Sequence, residues 1–271
     1  MCSGFGAALD TGECCGACET DPDKNICPLG FWALSTVIER HARTRDPGDL
    51  KEGAFRFQVR NAEQRDPLPV LEGSLLGASD RADSMDPTAV TGLYETLSEF
   101  YPDPKPPPVI RDWNDWSAAI KATRRNLLVL LPHHYSREGF EILEIGKDAG
   151  LKADIIKTKH VVYDENSAPI VLLIGCVTAF GRISFDSFIR RFHEAGASVV
   201  VGTVSTILGR HAGPATGILV SEIIEAAKQG DGTMGVAMLK ARRRLVGQGY
   251  PMSMGLSGYG GADWKLDAGG D

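Results

Sequence analysis

Three side chains able to take part in covalent catalysis stand directly after apolar runs of the sequence. His133 and His134 follow the run 127–131, and Cys176 follows the run 169–175. A cysteine thiolate attacks carbonyl carbons, while a nearby imidazole takes the thiol proton and later returns it to the leaving amine. These residue types predict nucleophilic catalysis by Cys176. Either histidine can be the base, because adjacent residues of a strand point in opposite directions.

The other five cysteines lie within the first 27 residues and suggest a second kind of chemistry. Cys15 and Cys18 are spaced as a C-x-x-C pair, with Cys27 as a third thiol and either Cys14 or Cys2 as a fourth. Four thiolates are a typical ligand set of structural zinc, whereas a terminal segment with reduced thiols and no metal is the alternative. Zinc is a hypothesis for this segment, and we predict no cofactor and no metal for the catalytic reaction itself.

The apolar runs describe the strands that must position His133 and Cys176. The runs 127–131, 169–175 and 197–202 are unbroken, as expected of strands that are buried on both faces of a sheet. Helical patterns alternate with these runs, which predicts βαβ crossovers and a mainly parallel sheet between two helix layers. Because the carboxyl ends of parallel strands lie at one edge, the histidine and the cysteine meet there if their strands are neighbours.

Helices are predicted from apolar residues at intervals of three and four and from capping residues. Asp86 is placed to cap a helix whose apolar face includes Val90, Leu93 and Leu97. The proline-rich segment 102–108 is predicted to be a surface loop, because it cannot enter a helix or a central strand. The remaining predicted helices cover 28–41, 113–122, 185–192, 216–229 and 234–246, and further strands are predicted around Phe55, Phe57 and Val59, at 70–76 and at 252–259.

The composition is that of a globular protein with a modest negative charge. Lys and Arg number 29 against 35 Asp and Glu, and the formal net charge of −6 does not favour nucleic acid or an anionic membrane as a partner. No run reaches the roughly 18 apolar residues of a membrane span, and the first residues lack the features of a secretion signal. We therefore expect a cytoplasmic protein, in which reducing conditions disfavour structural disulfides.

Sequence signatures of other enzyme and binding classes are missing. There is no G-x-x-x-x-G-K-[ST] phosphate loop and no G-x-S-x-G nucleophile elbow. Residues 4–9 lack the third glycine of a dinucleotide fingerprint and follow no strand. A doubly wound binder of nucleotides or small ligands is accordingly a weaker hypothesis than a cysteine hydrolase.

An ordered set of segments resembles the bacterial CHAT domains, which are caspase-like peptidases related to separases and caspases. These segments are 127–133, 172–179, 194–203, 235–244 and 259–264. The histidine precedes the cysteine, as in caspases, where about 50 residues separate them. The likeness covers roughly 68–266. It implies an α/β protein with a three-layer α/β/α caspase-like fold and a mainly parallel central sheet.

The resemblance implies roles for individual residues of this chain. His133 takes the family's base position, Cys176 takes its nucleophile position, and the backbone N–H groups of His134 and Cys176 would line the oxyanion hole. The family often has a glycine after its histidine and an acidic residue after its cysteine, where this chain has His134 and Val177. The implied activity is a cysteine-type endopeptidase that cleaves a protein substrate under the control of a regulatory protein partner.

The expected domain organisation has three parts. Residues 1–50 form a cysteine-containing extension with a helix, 51–266 the caspase-like domain, and 267–271 a flexible tail rich in glycine. An alternative from another functional class is a catalytically silent CHAT-like module that acts as a protein-interaction or scaffold domain. A biological effect that persists without the Cys176 thiol would favour this alternative.

Overall fold

A five-stranded, mainly parallel sheet lies at the centre of the protein. The structure, a computed structural model, describes residues 5–13, 27–39, 66–103, 105–175, 184–204, 207 and 209–269. The described strands are β1 (Leu68–Pro69), β2 (Ser74–Ala78), β3 (Leu127–Leu131), β4 (His133–Arg137), β5 (Phe140–Glu144), β6 (Gly150–Lys152), β7 (Ile170–Leu173), β8 (Val199–Thr203), β9 (Leu256–Tyr259) and β10 (Leu266–Asp267). The central sheet has the order β2-β3-β7-β8-β9, with β2, β3, β7 and β8 parallel and β9 antiparallel to β8.

Alternating side chains of the central strands pack into two separate hydrophobic cores. In β3, Leu127, Val129 and Leu131 face one core, while Leu128 and Leu130 face the other. Successive side chains of a strand point to opposite faces of the sheet, and both faces of this sheet are covered. All five side chains are therefore buried. This explains why the sequence of β3 is an unbroken apolar run rather than an alternating one.

Helices on both faces of the sheet complete three layers. The described helices are α1 (Phe5–Thr11), α2 (Trp32–Ser35), α3 (Asp80–Met85), α4 (Pro87–Phe100), α5 (Trp113–Ala122), α6 (Ser184–Glu194), α7 (Gly209–Lys228) and α8 (Met234–Gly247). Helices α4, α7 and α8 contribute to the first core, and α5 and α6 to the second. The predicted α/β/α architecture with a mainly parallel central sheet is confirmed. Among the described helices, none has the length and apolar character needed to cross a membrane.

Side-chain caps fix the starts of three helices where the sequence predicts them. Asp86 accepts a hydrogen bond from the Thr88 N–H at 2.9 Å at the start of α4. Asp112 accepts one from the Asn114 N–H at 2.7 Å at the start of α5, and Thr233 caps α8. These caps satisfy backbone N–H groups that have no partner in the first turn of a helix.

A second sheet, with three antiparallel strands, lies between β3 and β7 in the chain and was not predicted. It contains β4, β5 and β6, and only Pro132 separates β3 from β4, so that His133 begins a strand of its own. The β4–β5 turn has positive φ angles at Glu138 and Gly139. The β4 sequence is polar and therefore lacks the apolar run that identifies the central strands. Leu143 of β5 attaches this sheet to the second core.

The helix predicted over 28–41 is wrong. The described residues of this segment form a short 3-10 turn at Pro28–Gly30 and then the four-residue helix α2. Thr36 ends the helix in an extended conformation, with φ −132° and ψ 143°. The β-branched side chains of Thr36, Val37 and Ile38 explain the early end, since they lose rotamer freedom in a helix.

Helix α7 begins earlier than predicted and contains a proline. The predicted helix begins at residue 216, after Pro214. A proline lacks the N–H of a helical hydrogen bond. The helix instead begins at Gly209 and runs through Pro214. The carbonyl that loses its donor belongs to Arg210, an exposed residue of the first turn, so water can replace the missing hydrogen bond.

Two strand predictions are too long. Of the strand predicted over 70–76, only the part from Ser74 belongs to β2. Val70–Glu72 is a 3-10 turn, and Gly73 has a φ of 149°. The prediction over 252–259 is reduced to β9, because a 3-10 turn precedes it at Pro251–Gly255. The strand predicted around Phe55, Phe57 and Val59 lies outside the described residues.

Both ends of the described chain pack against the three-layer body. Ala8 and Leu9 of α1 and Leu34 of α2 are buried. Arg243 of α8 donates a hydrogen bond from Nε to the Leu34 carbonyl at 2.7 Å. Strand β10 pairs with β1 and includes Asp267, the first residue of the expected flexible tail.

Candidate active site

Strands β3 and β7 are neighbours in the sheet and end at the same edge. They are parallel, with Leu130 opposite Leu173, and the Ile174 N–H donates to the Leu130 carbonyl at 2.9 Å. The chain therefore leaves β3 towards His133, and β7 through Gly175, at one edge. Cys176 follows Gly175 and lies outside the described residues, so its distance from His133 stays a prediction.

The end of β2 fastens the second sheet to this edge. The Asp80 N–H donates to the Gly146 carbonyl at 3.1 Å, and the Gly146 N–H donates to the Ala78 carbonyl at 2.7 Å, just after β5. Gly146 is required for this approach, because its φ is +69° and a Cβ would lie 1.8 Å from the Arg111 carbonyl oxygen. The second sheet is thus held at a fixed position beside the ends of β2 and β3.

His133 is partly exposed at the start of β4. Its ring stacks on Tyr135, with 5.4 Å between the ring centroids, and its backbone pairs with Glu144 of β5. Residues two apart on a strand lie on the same face, which explains the contact with Tyr135. The stacking restricts the rotation of the imidazole about its side-chain bonds.

The surroundings of His133 favour its neutral form. Burial lowers the pKa of the imidazole, and the positive charge of Arg81 and the neighbouring His134 lower this pKa further. An imidazole with a pKa below its usual 6.5 is neutral near pH 7. Only this neutral form can accept a proton, so His133 is in the state that a general base requires.

A buried carboxylate lies across the strand pair from His133. Glu144 is only 5% exposed. It accepts a hydrogen bond from the Ser79 hydroxyl at 3.4 Å, and the Arg81 Nε lies 3.6 Å from its Oε1. These contacts partly compensate the cost of burying the charge. They also hold Arg81 near the ring whose pKa it lowers.

Ser79, Arg81 and Glu144 were not predicted as site residues from the sequence. Ser79 and Arg81 follow the carboxyl end of β2. Reacting groups gather at the carboxyl ends of parallel strands, so this position makes both residues site candidates, as it does His133. Glu144 joins them only through the pairing of β4 with β5. No feature of the sequence predicts that pairing.

The side chain of His134 packs inside the protein. The residue is 6% exposed, and its Nε2 lies 2.5 Å from Glu141 Oε2. Its ring meets Phe188 of α6 edge to face, with 5.6 Å between centroids. The oxyanion role expected of its backbone N–H stays a prediction, while its ring is committed to the contact between β4 and α6.

Two other histidines have structural partners. His160 accepts a hydrogen bond from the Lys157 N–H at 3.1 Å, and His193 lies 3.0 Å from the Ala197 carbonyl oxygen. No group of three or more His, Cys, Asp or Glu among the described residues is arranged to hold a metal. Of the cysteines in the zinc hypothesis, the described ranges include Cys27 alone.

Comparisons with known proteins include a distant likeness to a solved structure. No family model matches the chain, and no curated protein matches it. A solved structure to which the chain is similar is the Arg-specific cysteine proteinase gingipain R (RGPB), with a TM-score of 0.47 and 12% sequence identity. The alignment covers 73% of this chain and 48% of that one, so the chain spans about half the length of the proteinase.

Proposed function

We propose that the protein is a cysteine endopeptidase that cleaves a protein substrate, with Cys176 as nucleophile and His133 as general base. The observation that carries the proposal is the adjacency of β3 and β7. His133 and Gly175, the residue before Cys176, both lie where these paired strands end. A parallel sheet gathers reacting groups at this edge, and a thiol and an imidazole together form a nucleophile and its base.

The proposed reaction has two covalent stages. His133 takes the proton of the Cys176 thiol, and the thiolate forms a bond to the carbonyl carbon of the scissile peptide. The tetrahedral intermediate expels the amine, which receives the proton from the imidazolium, and a thioester remains on Cys176. Water then gives its proton to His133 and attacks the thioester, which releases the carboxylic acid and regenerates the thiol. The N–H groups of His134 and Cys176 are the proposed donors to the oxyanion.

The lowered pKa of His133 suggests the resting state of this pair. Burial and Arg81 favour a neutral imidazole, so the thiol keeps its proton until a substrate is bound. Proton transfer then accompanies nucleophilic attack. A resting pair of this kind limits side reactions of the cysteine, and it is compatible with the proposed control by a regulatory protein partner.

A labelling experiment with a thiol-reactive probe tests the assignment. We expect an iodoacetamide label to fall on Cys176 and to disappear in Cys176→Ala. The label should persist in Cys27→Ala, which removes a thiol of the N-terminal segment. His133→Asn should slow the labelling and the cleavage of a peptide library by about 10²–10⁴-fold. Labelling confined to the N-terminal cysteines, with no peptide cleaved, would overturn the proposal in favour of the catalytically silent interaction module.

A further inference from the structure

His134 connects two elements that flank the proposed catalytic pair. It belongs to β4, next to His133, and its ring contacts Phe188 of α6. Helix α6 begins at Ser184 and is the first described element after Cys176. The contact therefore joins the strand that bears the base to the helix that follows the nucleophile.

The His134 ring is held from two directions. On one side, Glu141 of β5 lies 2.5 Å from Nε2, and the Ser136 hydroxyl donates to the other carboxylate oxygen at 2.7 Å. On the other side, the edge-to-face contact with Phe188 involves a side chain that is 1% exposed. A buried polar group with satisfied hydrogen bonds has one favourable orientation, so this arrangement specifies geometry more than it adds stability.

We infer that His134 is a positioning residue: its contacts with Glu141 and Phe188 fix β4 against α6 and so orient His133 towards the edge where the chain continues into Cys176. This inference rests on the proposed function.

Loss of the His134 contacts should affect the chemical step. Side chains on opposite faces of a strand turn together, so a β4 that rotates about its axis moves the His133 ring away from its productive position. Misplacement of a catalytic group by about 1 Å costs on the order of a hundredfold in rate. Substrate binding does not depend on this orientation, so kcat should fall while KM changes little.

The test compares two buried histidines of the same core region. His134→Gln removes the imidazole that contacts Phe188, but it keeps a side-chain N–H that can donate to Glu141. His160→Gln is the matched control, since His160 is 2% exposed, also forms a hydrogen bond, and also meets an aromatic ring, Trp113, edge to face at 6.2 Å. We expect His134→Gln to lower kcat and the Cys176 alkylation rate by about tenfold to a hundredfold, and His160→Gln to change both by less than about twofold.

Two further variants keep the test decisive if His134→Gln does not fold. His134→Phe retains a ring against Phe188 and loses the partner of Glu141, whereas Glu141→Gln keeps a hydrogen-bond acceptor and removes the charge. The alkylation rate of Cys176 is measured across pH, because the slope of this profile reports on the coupling of the thiol to His133. A flatter profile in these variants, at unchanged stability, supports the positioning role.

The outcomes separate this inference from the proposed function. If the wild-type protein cleaves peptides through Cys176 and all His134 and Glu141 variants react like wild type, the positioning role is wrong and the peptidase proposal stands. Equal losses in His134→Gln and His160→Gln likewise mean a structural role only. If the wild-type protein cleaves no peptide and its labelling is confined to the N-terminal cysteines, both proposals fall.

Discussion

At the scale of single residues, the edge of the sheet controls the protonation of one imidazole. His133 lies in a partly buried position, beside the guanidinium of Arg81 and the ring of His134. Burial removes water that would solvate the imidazolium, and a nearby positive charge repels it. Both effects lower the pKa of His133. Arg81 is held close by the buried carboxylate of Glu144.

Replacement of Arg81 should raise the pKa of His133. Arg81→Gln removes the larger of the two charge effects and leaves the burial of the ring in place. We expect the His133 pKa, measured by NMR titration of the ring protons, to move up towards its usual 6.5. The acid limb of the activity profile should move up in pH with it, since a protonated His133 cannot act as a base.

Arg137→Gln is the control for this charge change. Arg137 belongs to β4, the strand of His133, but its side chain is 72% exposed. Its Nε lies 3.7 Å from Glu138 Oε1. Solvent screens an exposed charge of this kind, so its removal should leave the His133 pKa unchanged. Equal effects of the two substitutions would show that net charge, and not the position of Arg81, sets the pKa.

At the scale of elements, α4 and α7 pack closely because glycines line part of their contact. A Cβ added at Gly213 of α7 would lie 2.3 Å from the Ala89 carbonyl oxygen of α4. At Gly217, one turn further along α7, the nearest atom to such a Cβ is Leu93 Cδ1, at 4.0 Å. The two glycines of one helix thus differ in the space beside them.

These glycines should respond to alanine in opposite ways. Gly213→Ala forces the backbones of α4 and α7 apart and should lower the free energy of unfolding by about 1–3 kcal/mol. Gly217→Ala should raise it by up to about 1 kcal/mol, because alanine is a better helix former and fits the available space. Urea unfolding followed by circular dichroism measures both values. A stabilised Gly213→Ala would contradict the close approach at Ala89.

At the scale of the whole molecule, two histidines make stability depend on pH. Burial is the main cause of the lowered pKa of both His160 and His133. The positive charge of Lys159 lowers the pKa of His160 further. The unfolded chain has an ordinary histidine pKa near 6.5. Between the lowered folded pKa and 6.5, the unfolded chain binds more protons than the folded protein, so stability rises with pH in this window.

The urea midpoint should therefore be lower at pH 5.5 than at pH 7.5. The carboxylates Asp86 and Asp164 also have lowered pKa values, but they titrate from an ordinary value of 3.8 and contribute only at more acidic pH. His160→Gln should reduce the difference between the two midpoints, since it removes one of the two titrating groups. A midpoint that is higher at pH 5.5 would contradict the direction of both histidine shifts.

The strands β3 and β7 and the starts of α4, α5 and α8 follow from the sequence alone. An apolar run such as Leu127–Leu131 can be buried on both faces only within a covered sheet, so its conformation follows from composition alone. The starts of α4 and α5 follow from Asp86 and Asp112, whose carboxylates cap the adjacent turn. These are local properties, and contacts with distant segments are not needed to specify them.

Which elements lie side by side is seen only in the folded protein. Sequence order does not state that β3 pairs with β7, nor that the polar segment after Pro132 forms a separate sheet. The two adjacent histidines differ for the same reason: the pairing of β4 with β5 gives His133 a partly exposed position and buries His134 against Phe188. Strand pairing is a contact between residues far apart in sequence, and its free energy depends on surfaces that exist only after the chain has folded.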